Sequence, residues 1–140
     1  KTALAIEVMR GLYDMKSHMF LVSNSAKTKV WHGYTSSRQA GFSGFTEYLQ
    51  ELAKVLQVPP NPSVDRLKSE VLAAMAGNEG VLLVDNMEEI QDPELARFLS
   101  REVPAPVKVL VTSLVDKGLG ALTISVPEMQ EDEARELLFH

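Results

Sequence analysis

Asp85 stands at the end of an apolar run, Val81-Leu82-Leu83-Val84, and that placement gives it chemical interest. Turn residues bound the run: Gly77, Asn78 and Gly80 before it, Gln91, Asp92 and Pro93 after it. A short apolar run so bounded fits a strand buried on both faces, as in parallel sheets covered by helices. A carboxylate at the carboxyl end of such a strand sits where open α/β sheets bind ligands. The residues alone equally allow an acid that only caps a turn. A second candidate opens the chain: Lys1-Thr2, followed by the helix formers Ala3-Leu4-Ala5. A phosphate-binding loop ends in Gly-Lys-[Ser/Thr] and opens a helix. There the backbone N–H groups and helix dipole hold phosphates, the Lys reaches the outer ones, and the hydroxyl holds Mg²⁺. Two residues match by chance often, so an ordinary helix start stays open as well.

The elements that must position these residues follow from periodicity. Thr2 to Met15 is expected to be a helix, with Leu4, Val8 and Leu12 beside Ala5 and Met9 as its apolar stripe. His18 to Ser23 reads as a buried strand, and Asn24 to Ser43 as a long polar excursion holding Trp31 and Tyr34. Ser43 is expected to cap a helix from Gly44 to Gln57, with Phe45, Leu49, Leu52, Ala53 and Leu56 inward. Pro59-Pro60-Asn61-Pro62 ends it. Ser63 or Asp65 starts the next helix, to about Ala76, with Leu67, Val71, Leu72 and Met75 on one face, and Gly77 stops it. Asp92-Pro93 is a cap followed by proline at the first helical position, for a helix Pro93 to Arg101. Val107-Lys108-Val109-Leu110-Val111-Thr112-Ser113 is a further strand, and Ala121 to Val126 an alternating, edge-like one. Gln130 to His140 begins a last helix. Helices alternating with strands predict an α/β domain on a parallel sheet with right-handed crossovers.

Composition narrows the function classes. The chain has 140 residues, 45% apolar and 24% charged, ordinary for a globular domain with one core. A net charge of −5 argues against a nucleic-acid footprint, which needs a basic face. No cysteine is present, which removes disulfides, thiolate metal sites and cysteine nucleophiles. No apolar run approaches the ~18 residues of a membrane span. His18, His32 and His140 have no partner at metal-ligand spacing. Ser23, Ser25 and Ser43 lack a nucleophile-elbow pattern. The chain starts on Lys rather than Met and stops in mid-pattern at Leu137-Leu138-Phe139-His140, so both ends read as cuts.

Taken in order, Lys1-Thr2-Ala3-Leu4-Ala5, Val81 to Glu88, Val107 to Ser113, and Ile124 to Met129 with Glu133 to Leu138 resemble the nucleotide-binding domain of NB-ARC proteins. These belong to the STAND class of signalling ATPases, and the bacterial members look nearest. Phe20-Leu21-Val22-Ser23 with Ser25-Ala26-Lys27-Thr28, and the Phe45 to Val55 helix, suit that group too. The resemblance implies a three-layer, parallel-sheet P-loop NTPase domain over residues 1–129, lacking its first strand and glycine loop here. Residues 130–140 would start the following helical domain. It implies ATP/ADP and Mg²⁺ as ligands, with Lys1 as the phosphate-loop lysine, Thr2 as the Mg²⁺-binding hydroxyl and Asp85 as the acid orienting Mg²⁺. Thr112 and Ser113 would be the sensor beside the terminal phosphate. It further implies a cytoplasmic protein whose partners are its own other domains, and a homo-oligomer on activation, without membrane or nucleic-acid contact from this segment.

Three departures qualify the activity. The glycine loop and the central strand are missing, which would leave inner sheet edges unpaired. The isolated segment is therefore expected neither to fold cooperatively nor to bind nucleotide. Asn86 stands where many relatives carry an acid, with Glu88 or Glu89 as more distant substitutes. Leu114 stands where relatives often have arginine, with Lys117 nearby in a loop. Losing a base and an arginine slows hydrolysis more than binding. The expected function is thus a slow ATPase or nucleotide-gated switch. The alternative is a degenerate scaffold domain without turnover, and a small-molecule kinase comes third because no arginine-rich lid is evident.

Overall fold

The computed structural model describes residues 1–15, 20–26, 41–128 and 130. Three strands, β1 (Phe20–Ser25), β2 (Gly80–Asp85) and β3 (Val107–Val111), form one parallel sheet in the order β1-β2-β3. In register, Phe20 pairs with Gly80, Ser25 with Asp85, Gly80 with Val107 and Val84 with Val111. Helix α1 spans Thr2–Met15, α2 Phe45–Val55, α3 Val64–Met75 and α4 Pro93–Arg97. The α/β expectation holds at this level: an open parallel sheet with helices packed on both faces. No helix among the described residues is long and apolar enough to cross a membrane.

Every residue of β2 is buried, because helices cover both of its faces. The two-residue period of a strand then sorts the side chains. Val22, Leu82, Val84, Val107, Val109 and Val111 face α2, α3 and α4. Leu21, Val81, Leu83 and Leu110 face α1. A Cβ at Gly80 would lie 2.2 Å from the Phe20 ring, so glycine lets that ring lie over β2 where any side chain would displace it.

Helix boundaries follow local chemistry. Ser63 caps α3, accepting from Arg66 N at 3.4 Å, and Gly77 follows the helix at φ +79°. Asp92 caps α4 ahead of Pro93, and Pro104 and Pro106 keep the chain from continuing as helix. That helix is α-helical only to Arg97; Phe98–Glu102 form a wider π turn, still burying Phe98 and Leu99. At α2, Ser43 is not the cap. Gly44 holds that position without a side-chain bond, and Ser43 instead donates its N–H and hydroxyl to Glu47 at 2.6 and 2.8 Å. α2 also buries Tyr48, which packs on Phe42 and Phe98 at ring distances of 4.8 and 6.4 Å.

Two expectations about apolar faces are corrected. On α1 the buried residues are Ala5 and Met9, with Leu12 partly covered, while Leu4 and Val8 are 55% and 46% exposed. The apolar stripe is wider than the strip of sheet it meets, so its outer half stays uncovered. Residues 121–126 form no strand: they run without ladder partners, and Leu122 and Ile124 are largely exposed. Alternation alone does not make a strand when no neighbour supplies the hydrogen bonds. The expected β1 begins at Phe20 and extends to Ser25. His18, Trp31, Tyr34, His32, Lys27, Thr28 and the expected helix after Gln130, with His140, lie outside the described residues.

Candidate functional site

The parallel register brings three carboxyl ends side by side. Ser25 ends β1, Asp85 ends β2, and Thr112 directly follows β3, its N–H donating to Val84 O at 3.0 Å. By the strand period all three side chains lie on the α1 face. Packing of Ala5 and Met9 against Val81 and Leu83 sets the N-terminus of α1 over the same ends. Thr2 is thereby delivered to Asp85 although the two are 83 residues apart in sequence.

The geometry centres on the Asp85 carboxylate, which is 5% exposed. Its Oδ1 accepts from the Thr2 hydroxyl at 2.8 Å and the Thr112 hydroxyl at 2.5 Å. Its Oδ2 accepts from the Ser25 hydroxyl at 3.3 Å and from the side-chain amide of Asn86. Four neutral donors from four chain segments thus hold one buried acid. Burying a carboxylate is costly unless its lone pairs are answered, and here hydroxyls and an amide answer them.

Asn86 is 7% exposed and left-handed, at φ 59° and ψ 46°, a conformation asparagine tolerates better than most residues. The turn aims its amide back at the strand ends, where it also donates to Ser25 Oγ at 3.1 Å. Its N–H donates to the Thr112 hydroxyl at 3.1 Å, and Met87 N donates to Thr112 O at 3.0 Å. Thr112 therefore ties the sheet to the turn after β2 with its N–H, carbonyl and hydroxyl.

Lys1 sits at the rim, its ammonium donating to the Ser113 carbonyl at 3.0 Å. The Ser113 hydroxyl accepts from Val115 N at 3.2 Å, so it serves the local turn. Lys117 does not reach the strand ends in place of an arginine. Its ammonium donates to Ile90 O at 2.9 Å and Glu88 O at 3.4 Å, fastening the loop to the 3₁₀ turn Met87–Glu89. Glu88 is likewise engaged, accepting from Leu114 N at 3.3 Å. Leu114 itself is 73% exposed.

The structure brings Lys1, Thr2, Asp85, Asn86, Thr112 and Ser113 into one cluster. The residue that sequence reasoning left out of this cluster is Ser25. Its signal was present: aligning Phe20–Ser25 with Gly80–Asp85 as neighbouring strands places Ser25 opposite Asp85.

A hydroxyl and a carboxylate oxygen at the positive end of a 14-residue helix suit a small hard cation and an anion. Thr2 and Asp85 would hold the cation, and Lys1 with the α1 N-terminus would hold the anion. Among the described residues no group of three His, Cys, Asp or Glu could hold a metal ion. A cation here would therefore take its other ligands from water and phosphate, as Mg²⁺ commonly does. No protein-family model matches the chain, and no curated protein or solved structure matches it significantly.

Proposed function

We propose that this chain is the nucleotide-binding core of an ATP/ADP-dependent, Mg²⁺-requiring regulatory switch of the NB-ARC kind, with slow hydrolysis. The finer fold reading goes with it: a P-loop NTPase sheet whose phosphate-cradling backbone would stand ahead of Lys1. The observation that carries the reading is the bond between the Thr2 hydroxyl and the buried Asp85 carboxylate at the N-terminus of α1. A helix-start hydroxyl beside a strand-end acid is the pairing a Mg²⁺-phosphate group needs.

In this reading Lys1 and the α1 amides bind phosphate, Thr2 and Asp85 orient the cation, and Thr112 keeps the acid in place. When bound, the cation would neutralise charge on the transferring phosphoryl group. ATP and ADP would favour different arrangements against neighbouring domains or copies, by differential affinity for two states.

Slow turnover fits two details. The Asn86 amide is engaged by Ser25 and Asp85, and Leu114 offers no charge near the Lys1 ammonium. The same details favour the second reading, an interaction domain that keeps the fold without turnover. Nucleotide analysis of the purified intact protein separates them. We expect bound ADP or ATP, Mg²⁺-dependent ATP affinity lost in Lys1→Ala, and turnover below ~1 s⁻¹. Finding neither bound nucleotide nor Mg²⁺-dependent affinity would defeat the switch reading.

A further inference from the structure

We propose that Ser25 is a positioning residue for the metal-facing acid. It acts through Asp85 and Asn86, fixing the plane of the Asp85 carboxylate so that Oδ1 faces Thr2. The inference rests on the reading of this cluster as a Mg²⁺-nucleotide site.

The two oxygens of Asp85 have different company. Oδ1 meets the two threonine hydroxyls, and Thr2 is the hydroxyl assigned to the cation. Oδ2 meets Ser25 and Asn86, which also bond each other: the serine hydroxyl donates to Oδ2 at 3.3 Å and accepts from the Asn86 amide at 3.1 Å. Ser25, Asn86 and Oδ2 thus close a three-membered ring of hydrogen bonds on the side away from Thr2. A carboxylate turns readily about its last side-chain torsion, which has broad preferences. The ring holds that torsion from the Oδ2 side.

Ser25 is well anchored for this work. It is the last residue of β1 and pairs directly with Asp85, so backbone register sets its hydroxyl before any side chain adjusts. The next residue, Ala26, is buried and donates its N–H to Asp85 O at 2.9 Å, fixing the strand end on the other side of Ser25. Removing the hydroxyl deletes one donor to Oδ2 and one acceptor for Asn86. The acid then rests on Asn86 alone on that side.

Partners behind a metal ligand typically govern metal affinity by 10–100-fold. The effect should therefore appear in the Mg²⁺ requirement rather than in phosphate binding, which falls to Lys1 and the α1 amides.

The experiment measures ATP affinity of the intact protein across a Mg²⁺ titration and again in EDTA. It compares wild type, Ser25→Ala, Ser25→Thr and the same-face control Ser23→Ala. Ser25→Ala should raise the half-saturating Mg²⁺ concentration about tenfold while leaving EDTA affinity unchanged. Ser25→Thr, which keeps the hydroxyl, should return the midpoint to near wild type, and Ser23→Ala should leave it unmoved. An unchanged midpoint in Ser25→Ala overturns the proposal while the nucleotide-site reading stands. An equal loss of affinity with and without Mg²⁺ marks a purely structural serine and overturns it too. A wild-type protein that binds no nucleotide removes the underlying reading and this inference together.

Discussion

At the residue scale, Asn86 explains itself by what its amide touches. An amide can donate to Asp85 and Ser25 at once, whereas a carboxylate there would only accept. Asn86→Asp should therefore not act as a simple gain of a catalytic base. It would press a second buried carboxylate against Asp85 and leave the Ser25 lone pair without its donor. Like charges this close cannot both ionise cheaply. We expect Asn86→Asp to lower stability by roughly 2 kcal/mol at neutral pH, in line with a buried donor replaced by an acceptor. Denaturant melts of both proteins at neutral pH check this, and an Asn86→Asp protein as stable as wild type would contradict it. Asp85 and Lys1-Thr2 were legible in the sequence because an acid after an apolar run and a Lys-Thr at a helix start are local patterns, whereas Asn86, Thr112 and Ser113 were singled out only through the family resemblance. Ser25 and the use of the Asn86 amide were not legible, because both depend on which strands lie side by side.

At the element scale, Asp92 closes two helices. Its Oδ1 accepts from Glu94 N at 2.8 Å and Leu95 N at 3.2 Å, capping α4, and its Oδ2 accepts from Phe45 N at 2.8 Å, at the start of α2. Gly44 permits the approach, since a Cβ there would come within 3.0 Å of that oxygen. Partial burial pushes the Asp92 carboxyl up, but the N–H groups of Phe45, Leu95 and Glu94 outweigh it and hold it below the ordinary 3.8. A depressed folded value means the contribution is fully present above the unfolded pKa and fades as pH falls through the folded one. Stability should thus drop in acid below about pH 4, and Asp92→Asn should flatten that limb of the profile. A stability profile of Asp92→Asn parallel to wild type between pH 2 and 5 would refute this. The α4 cap was legible from Asp92-Pro93. The α2 cap was not, and Ser43 was the natural misreading, because the true acceptor comes from a distant turn. The edge strand at 121–126 failed for the matching reason: alternation marks a face, and a ladder needs a neighbour.

At the scale of the whole molecule, the two sides of the sheet are unequal. Among the described residues, one face packs a cluster of 19 buried residues from the strands, α2, α3, α4 and their loops, and the other packs four, of which α1 supplies Ala5 and Met9. Local opening free energy follows buried apolar contact. Amides of α1 should therefore exchange with solvent faster than those of α3 in the ligand-free protein, measured by hydrogen exchange. Equal protection of the two helices would show that α1 is held by more than this cluster. The layer arrangement was readable from alternating helices and strands. The imbalance was not, because the apolar stripe of α1 looks as full as those of α2 and α3 until the sheet beneath it is seen.

The double cap at Asp92 also bears on how the chain reaches this structure. The acid that closes α2 arrives from 47 residues further along. During folding, α2 has no side-chain cap of its own, and its first turn gains one only when the turn after β2 has docked. Closing that loop carries an entropic cost before the contact forms. Complete formation of α2 is thereby coupled to docking of the turn that follows the central strand.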